Sequence, residues 1–434
     1  MIRRGQLFVL IGFLISSCSI LSLDHKPGSP DNTPPEEVMS GSNPSNDGAV
    51  TPASATPTST PTKQMTPSPT PTATRWLVGP GYFEGINPLT GMEEEEVQAL
   101  FKGPVLVSIT NFPTSARPQS GLSQASHVWE TSIGEGMTRF IGVYYGGYIE
   151  ALSHIEDELS PDYDRTYILG PVRSGRVAFQ EIKRLYPGGR LLIRFASPEV
   201  IEQITGWVLV RALDPNDINS AGMTLEDLEG LELPEVEPEA YAELTFDSQS
   251  PSGGVEQSEL RIIYNYLNNV GWTYDPPSGR YLRSQDLADG SGELFPTLDR
   301  LTGERVGFEN VLVLWAQHSF ENLQATIIEI DLAYLPDGYG LLFRDGKRYE
   351  VRWSTRSGKL RVHDKEGTPI PLKPGRTLFE VVSQFSTWDE QKAVVRFVRP
   401  ALPTFTPIPS ATPKKASTPT PTASSTPTPT NTPE

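Results

Sequence analysis

Cys18 is the only cysteine among 434 residues, and its place near the N-terminus leaves the rest of the chain without a disulfide, a thiolate nucleophile or a cysteine metal site. Histidine is scarce too, with five residues, none in the H-E-x-x-H arrangement that would hold a catalytic zinc. No apolar run reaches the roughly 20 residues needed to cross a bilayer. Positive charge is the next shortage: 36 Lys and Arg stand against 53 Asp and Glu, a net charge of −17. Nucleic acid is therefore not expected as a partner, because neutralising phosphates requires a basic stripe. The absence of a G-x-S-x-G elbow, a Walker loop and a C-x-x-C pair removes the best-marked hydrolase, nucleotide and redox chemistries, and no cofactor is expected.

The chain opens with Arg3-Arg4, an apolar stretch from Leu7 to Ile15, and Ser16-Ser17-Cys18, the order of an export signal. Ile15-Ser16-Ser17 ahead of the cysteine resembles a bacterial lipobox. Residues 1–18 thus read as a lipoprotein signal peptide, with Cys18 as the lipidation site that holds the protein outside the cytoplasm on the cell membrane; two acyl chains anchor durably where one does not. Residues 19–75 are then rich in Pro, Thr, Ser and Asn, ending in "TPASATPTSTPTKQMTPSPTPTAT". So little apolar surface cannot offset the entropy of ordering, and a disordered tether is expected. The same composition returns over 401–434 as a second disordered arm.

Between these arms lie all seven tryptophans and enough chain for two domains. Every charged residue between Arg211 and Arg261 is acidic, so 226–258 reads as a solvated connector between an N-terminal domain, 76–225, and a C-terminal domain, 259–400. Its acids lack the spacing and turn glycine of an EF-hand loop. In the first half "PVLVSIT", "SHVWETS", "RFIGVYY" and "RLLIRF" read as strands, and "SGRVAFQEIKRLY" as a helix with Ser174 as its N-cap. Close-set β-branched and aromatic runs fill the second half, with hairpin turns at Asp345-Gly346 and Glu366-Gly367. The expected fold is α+β: an α/β domain followed by a mainly antiparallel β domain.

"NPLTG" (87–91), "ARPQSGLSQASHVWE" (116–130), "GEGMTRF" (134–140) and "GPVRSGR" (170–176) together resemble the signature of the YerB-like lipoprotein family, domain of unknown function 3048. "FENVLVLWAQH" (308–318) and "LLFRDGKRYEVRWS" with "GTPIPLKPGRTLFEVV" resemble that family's C-terminal domain. The resemblance implies a lipid-anchored envelope protein with two adjoining domains; it supplies no reaction and no site. The chain departs from the pattern at Ala125-Ser126 and at Arg194-Phe195-Ala196-Ser197, where the family tends to carry a histidine at the strand end.

Arg173 and Arg176 stand one helical turn apart behind a Gly-Pro corner. With Arg139 from a neighbouring strand they make a candidate anion clamp, because a guanidinium fork matches phosphate or carboxylate. Cations at a helix start oppose the macrodipole, however, so something negative should face them. Glu130 and Glu135 are the candidate carboxylate partners. If they pair with the arginines the motif is structural, and the protein is a non-catalytic binding or scaffolding module for an envelope protein or wall polymer. If they do not, the site could serve a phosphorylated envelope substrate, with Glu130 or Glu135 as base or metal ligand. The first reading is preferred, since ion-pair networks are often structural. "HIEDE" (154–158) lacks a second spaced histidine, so no metal is expected there.

Overall fold

The computed structural model describes residues 77–155, 167–320 and 328–401. The signal peptide with Cys18, the tether over 19–75, the arm beyond 401 and the acids of "HIEDE" lie outside the described residues. Among the described residues no helix is long and apolar enough to cross a membrane.

The described chain is mostly strand, arranged in several sheets. Two burial patterns show how. Val105–Thr110 is buried at every position, as expected of a strand covered on both faces. Glu259–Asn265 instead alternates buried and more exposed residues, the period-two pattern of a strand with one face toward water. The first kind builds a large central sheet, and the second a smaller sheet laid over it.

Twelve described strands form the large sheet. Its central strands run in the order Gly338–Arg344, Asn310–Phe320, Thr377–Ser383, His127–Gly134, Met137–Tyr144, Val105–Thr110, Arg190–Ile193 and Trp207–Leu209, the last at the edge. Thr377–Ser383 lies parallel to Asn310–Phe320 on one side and to His127–Gly134 on the other, so strands from both halves of the sequence form one hydrogen-bonded layer. The second half is therefore not purely antiparallel. The Asp345-Gly346 turn does form a hairpin, with both residues at positive φ (54° and 73°), the geometry of a type I′ turn.

Successive side chains on each strand point to opposite faces. Val128, Phe140, Val313 and Leu378 face the smaller sheet and meet its Leu260, Ile262, Trp272 and Val395. Trp129, Ile141, Leu312 and Phe379 face the other way, toward Phe179 and Ile182 of the helix Ala178–Arg184. Each fully buried Phe or Leu in these layers contributes about 1.5–3 kcal/mol.

The acidic stretch follows the body of the fold. Thr224 caps the helix Leu225–Glu229 through a capping box with Asp227, which satisfies otherwise orphaned N–H groups. Leu228, Tyr241 and Phe246 are buried while Glu226, Glu229 and Glu237 face solvent. Backbone bonds from Gly103 to Pro234 (2.8 Å) and from Val236 to Phe101 (3.0 Å) hold the segment in place.

Candidate functional site

Val105–Thr110 and Arg190–Ile193 are parallel neighbours only as far as Val107 and Leu192. Beyond that point the chain 171–175 fills the gap between them. Thr110 N–H donates to Pro171 O (2.9 Å), Arg173 N–H to Ser108 O (2.8 Å), Arg194 N–H to Arg173 O (2.9 Å) and Gly175 N–H to Phe195 O (2.8 Å). The packing around Gly175 is close: a Cβ there would stand 3.0 Å from Ile204 Cδ1 and 3.1 Å from Ile193 Cδ1. The site thus forms at the carboxyl ends of two diverging parallel strands, where open sheets commonly bind ligands.

The helix begins only after this wedge, at Ala178–Arg184, with Val177 at its N-cap position and no side-chain cap. Ser174 is therefore not the cap that the sequence pattern suggested, and Arg173 and Arg176 do not share a helical face. Ser174 instead accepts hydrogen bonds from two arginines. Arg139 Nη1 donates to its carbonyl and its Oγ, each at 2.9 Å, and Arg176 Nη1 to the same Oγ and to Gly175 O (2.9 Å). Arg173 reaches the other way, to Ile218 O and to Asn219 Oδ1 at 2.6 Å.

Arg139 and Arg176 thus converge on Ser174 Oγ, Arg173 lies near enough to repel Arg139, and the three charges are poorly matched. Arg139 and Arg173 are only 5% and 3% exposed; Arg176 is half-buried and opens toward solvent. Among the described residues no carboxylate comes within ion-pair distance of any of them. Burial, followed by repulsion from Arg176 and Arg173, pulls the Arg139 pKa well below its usual value. Burial also lowers Arg173, whose charge Asp217 offsets in part without pairing, and Arg176. Among the described residues the Nε groups of Arg139 and Arg173 have no partner, nor does the buried Oγ1 of Thr131, which stands beside Arg139 in register. The cluster presents unsatisfied donors and excess positive charge, as an anion site does.

The expected carboxylate partners are elsewhere. Thr131 pairs with Arg139 across the strands and Glu130 pairs with Phe140, so alternation turns Glu130 to the opposite face. There it bonds Arg283 Nη2 at 2.9 Å, with both side chains fully buried, and accepts from Thr138 Oγ1 (2.7 Å) and Asn111 Nδ2 (3.2 Å). Glu135 is exposed at the hairpin tip, at φ 53°. Neither is placed to serve the arginines as counter-ion, base or metal ligand.

Beside Glu130 in register is Glu380 of Thr377–Ser383, a residue that the motif analysis did not single out. It accepts from Tyr264 Oη (2.8 Å) and Trp272 Nε1 (2.9 Å) of the smaller sheet. Burial, then the neighbouring Glu130 charge, pushes its pKa up to about 8. A signal was available: a glutamate inside the run Leu378-Phe379-Glu380-Val381-Val382 is a charge in a strand otherwise suited to full burial. Among the described residues no group of three or more His, Cys, Asp or Glu is arranged to hold a metal. His154 sits on the helix Tyr148–Ile155, 3.7 Å from Glu150.

Comparison with known proteins agrees with this layout. The family model described as "Protein of unknown function (DUF3048) N-terminal domain" matches residues 89–224, and that of the C-terminal domain matches 260–379. The Bacillus subtilis (strain 168) protein named "Putative lipoprotein YerB" is 27% identical over 317 residues, 68% of this chain and 85% of that protein. The crystal structure of the YerB protein from Bacillus subtilis is similar with a TM-score of 0.51 at 26% identity, covering 68% of this chain and 96% of that one. The two matched segments meet in one sheet, through the pairing of Thr377–Ser383 with His127–Gly134, and the chain belongs to the DUF3048 family.

Proposed function

We propose that this protein is a lipid-anchored receptor of the bacterial cell envelope that binds an anionic group between Arg139, Arg173 and Arg176. The observation that carries this reading is the meeting of Arg139 and Arg176 at Ser174 with Arg173 near enough to repel Arg139, two of the three almost fully buried and none in an ion pair among the described residues. Buried cations left without counter-charge cost several kcal/mol each. A bound phosphate or carboxylate would offset that cost, entering past half-buried Arg176. In this reading the first half acts as an α/β carrier of the site, since its parallel strands Val105–Thr110, Arg190–Ile193 and Trp207–Leu209 hold the wedge.

The location follows from Cys18 in its lipobox-like setting and from the lipoprotein name of the Bacillus relative. Acylated Cys18 would hold the body at the outer face of the membrane on the tether over 19–75. Binding partners in this setting are wall polymers or other envelope components that carry anionic groups.

The test is thermal unfolding of the purified protein with phosphate, pyrophosphate and wall-precursor analogues. The expected result is a saturable rise of several degrees, since a ligand at 100 times its Kd stabilises by about 2.7 kcal/mol. No rise with any of these anions at tens of millimolar would overturn the reading.

A further inference from the structure

Four large apolar side chains, Phe195, Trp207, Leu209 and Ile218, are exposed around the arginines, two of them by 54% or more. Scattered exposed apolar residues are ordinary, but a set gathered beside a charged group marks an interaction surface. The contacts show that these are gathered. The carbonyl of Ile218 accepts from Arg173, and that of Phe195 from Gly175 N–H. Trp207 and Leu209 pair with Leu191 and Ile193 on the edge strand. Leu191 and Ile193 belong to the layer that packs on the helix Ala178–Arg184, whereas Val208 turns to the opposite layer. Trp207 and Leu209 therefore lie on the face of the sheet that carries Arg139, at the sheet edge, with Arg190–Ile193 between them and the wedge.

Resting on the anion-receptor reading, we infer that the ligand is an amphiphile: a phosphate headgroup held by Arg139, Arg173 and Arg176, with an alkyl or prenyl chain laid along Phe195, Leu209 and Trp207. Charge complementarity selects this occupant. A neutral chain would leave the arginines unmatched, and a short phosphate would leave the apolar rim in water. The edge strand lets the chain leave the site toward a bilayer without threading through the fold.

Calorimetric titration of the Cys18→Ser chain, which has no thiol to acylate, separates the possibilities. The probes are ethyl phosphate, decyl phosphate and decyl maltoside, each below its micellar concentration. Decyl phosphate should bind at least about tenfold more tightly than ethyl phosphate, the gain from burying about two methylenes, and decyl maltoside should not bind. Leu209→Ser and Phe195→Ser, both at exposed positions, should remove that gain and leave ethyl phosphate binding intact; Arg176→Gln should weaken both phosphates. Equal affinity for the two phosphates overturns the amphiphile and leaves the anion reading standing. Decyl maltoside binding as tightly as decyl phosphate also overturns it, because the rim is then a general apolar surface. Binding of neither phosphate overturns both readings.

Discussion

On one face of the large sheet three arginines gather with no carboxylate among the described residues bonded to them; on the other, Glu130 pairs with Arg283 beside Glu380. Both clusters are largely buried, yet they carry excess charge of opposite sign. The carboxylate cluster is tied across two sheets by Tyr264, Trp272, Thr138 and Asn111, and Arg283 lies over Phe140 at 5.0 Å. Its excess negative charge can be cancelled by a proton. The arginine cluster has no such recourse at ordinary pH, since guanidinium does not give up its proton there. In the anion-receptor reading its neutralisation comes from a bound ligand.

The largest effect expected from breaking this contrast is at Arg283. Replacing it with Met keeps the apolar contacts to Phe140 and Trp272 but leaves the buried Glu130 carboxylate without its cation. Loss of one partner from a buried pair typically costs about 3–5 kcal/mol. Urea unfolding of Arg283→Met should show a midpoint lowered by that much stability; a change under about 1 kcal/mol would mean that the carboxylates do not depend on Arg283.

Protonation gives the next effect. The folded-state pKa of Glu380 is raised to about 8 by burial and by the Glu130 charge, above the value near 4.3 expected in the unfolded chain. Between those values the folded state binds a proton that the unfolded state does not, so stability falls as pH rises from about 4.3 to about 8 and levels off above. Glu380→Gln should flatten that fall and be the more stable protein at pH 9, by roughly 1 kcal/mol or more. Parallel stability–pH curves for the two proteins would show that Glu380 is not the group responsible.

Much of this contrast lay within reach of the sequence, but not its pairing. The strands at 105–110, 127–134, 137–144 and 190–193 are readable from their β-branched and aromatic runs, and Pro198 opens its short helix. Which strands become neighbours is a non-local matter. Nothing near Glu130 indicates that Glu380, some 250 residues along the chain, will stand beside it. The same gap hides the placement of the counter-ions. Glu130 and Arg139 lie on adjacent strands of one hairpin, but whether they share a face depends on register, and the bulge between Ser132 and Gly134 alters it. Ser174 had the residue type and position of an N-cap, yet the helix starts four residues later because Arg173–Gly175 is drawn into strand-like bonding with Ser108, Arg194 and Phe195.

The smallest expected effect is also the one that best sharpens the comparison. Arg176 is half-buried and donates to Ser174 Oγ and Gly175 O, so Arg176→Gln can keep a hydrogen bond to Ser174 while removing one charge from the cluster. If the arginines were architecture of the Arg283 kind, this change would destabilise the protein. Because they repel one another, it should instead be neutral or stabilising by about 0.5–1 kcal/mol without anion, the trade-off common at binding sites. The same variant should lose most of the thermal shift produced by phosphate. Differential scanning calorimetry with and without phosphate reads both quantities in one series. A variant less stable by more than about 1 kcal/mol, with its phosphate shift unchanged, would place Arg176 with Arg283 among the residues that hold the fold together.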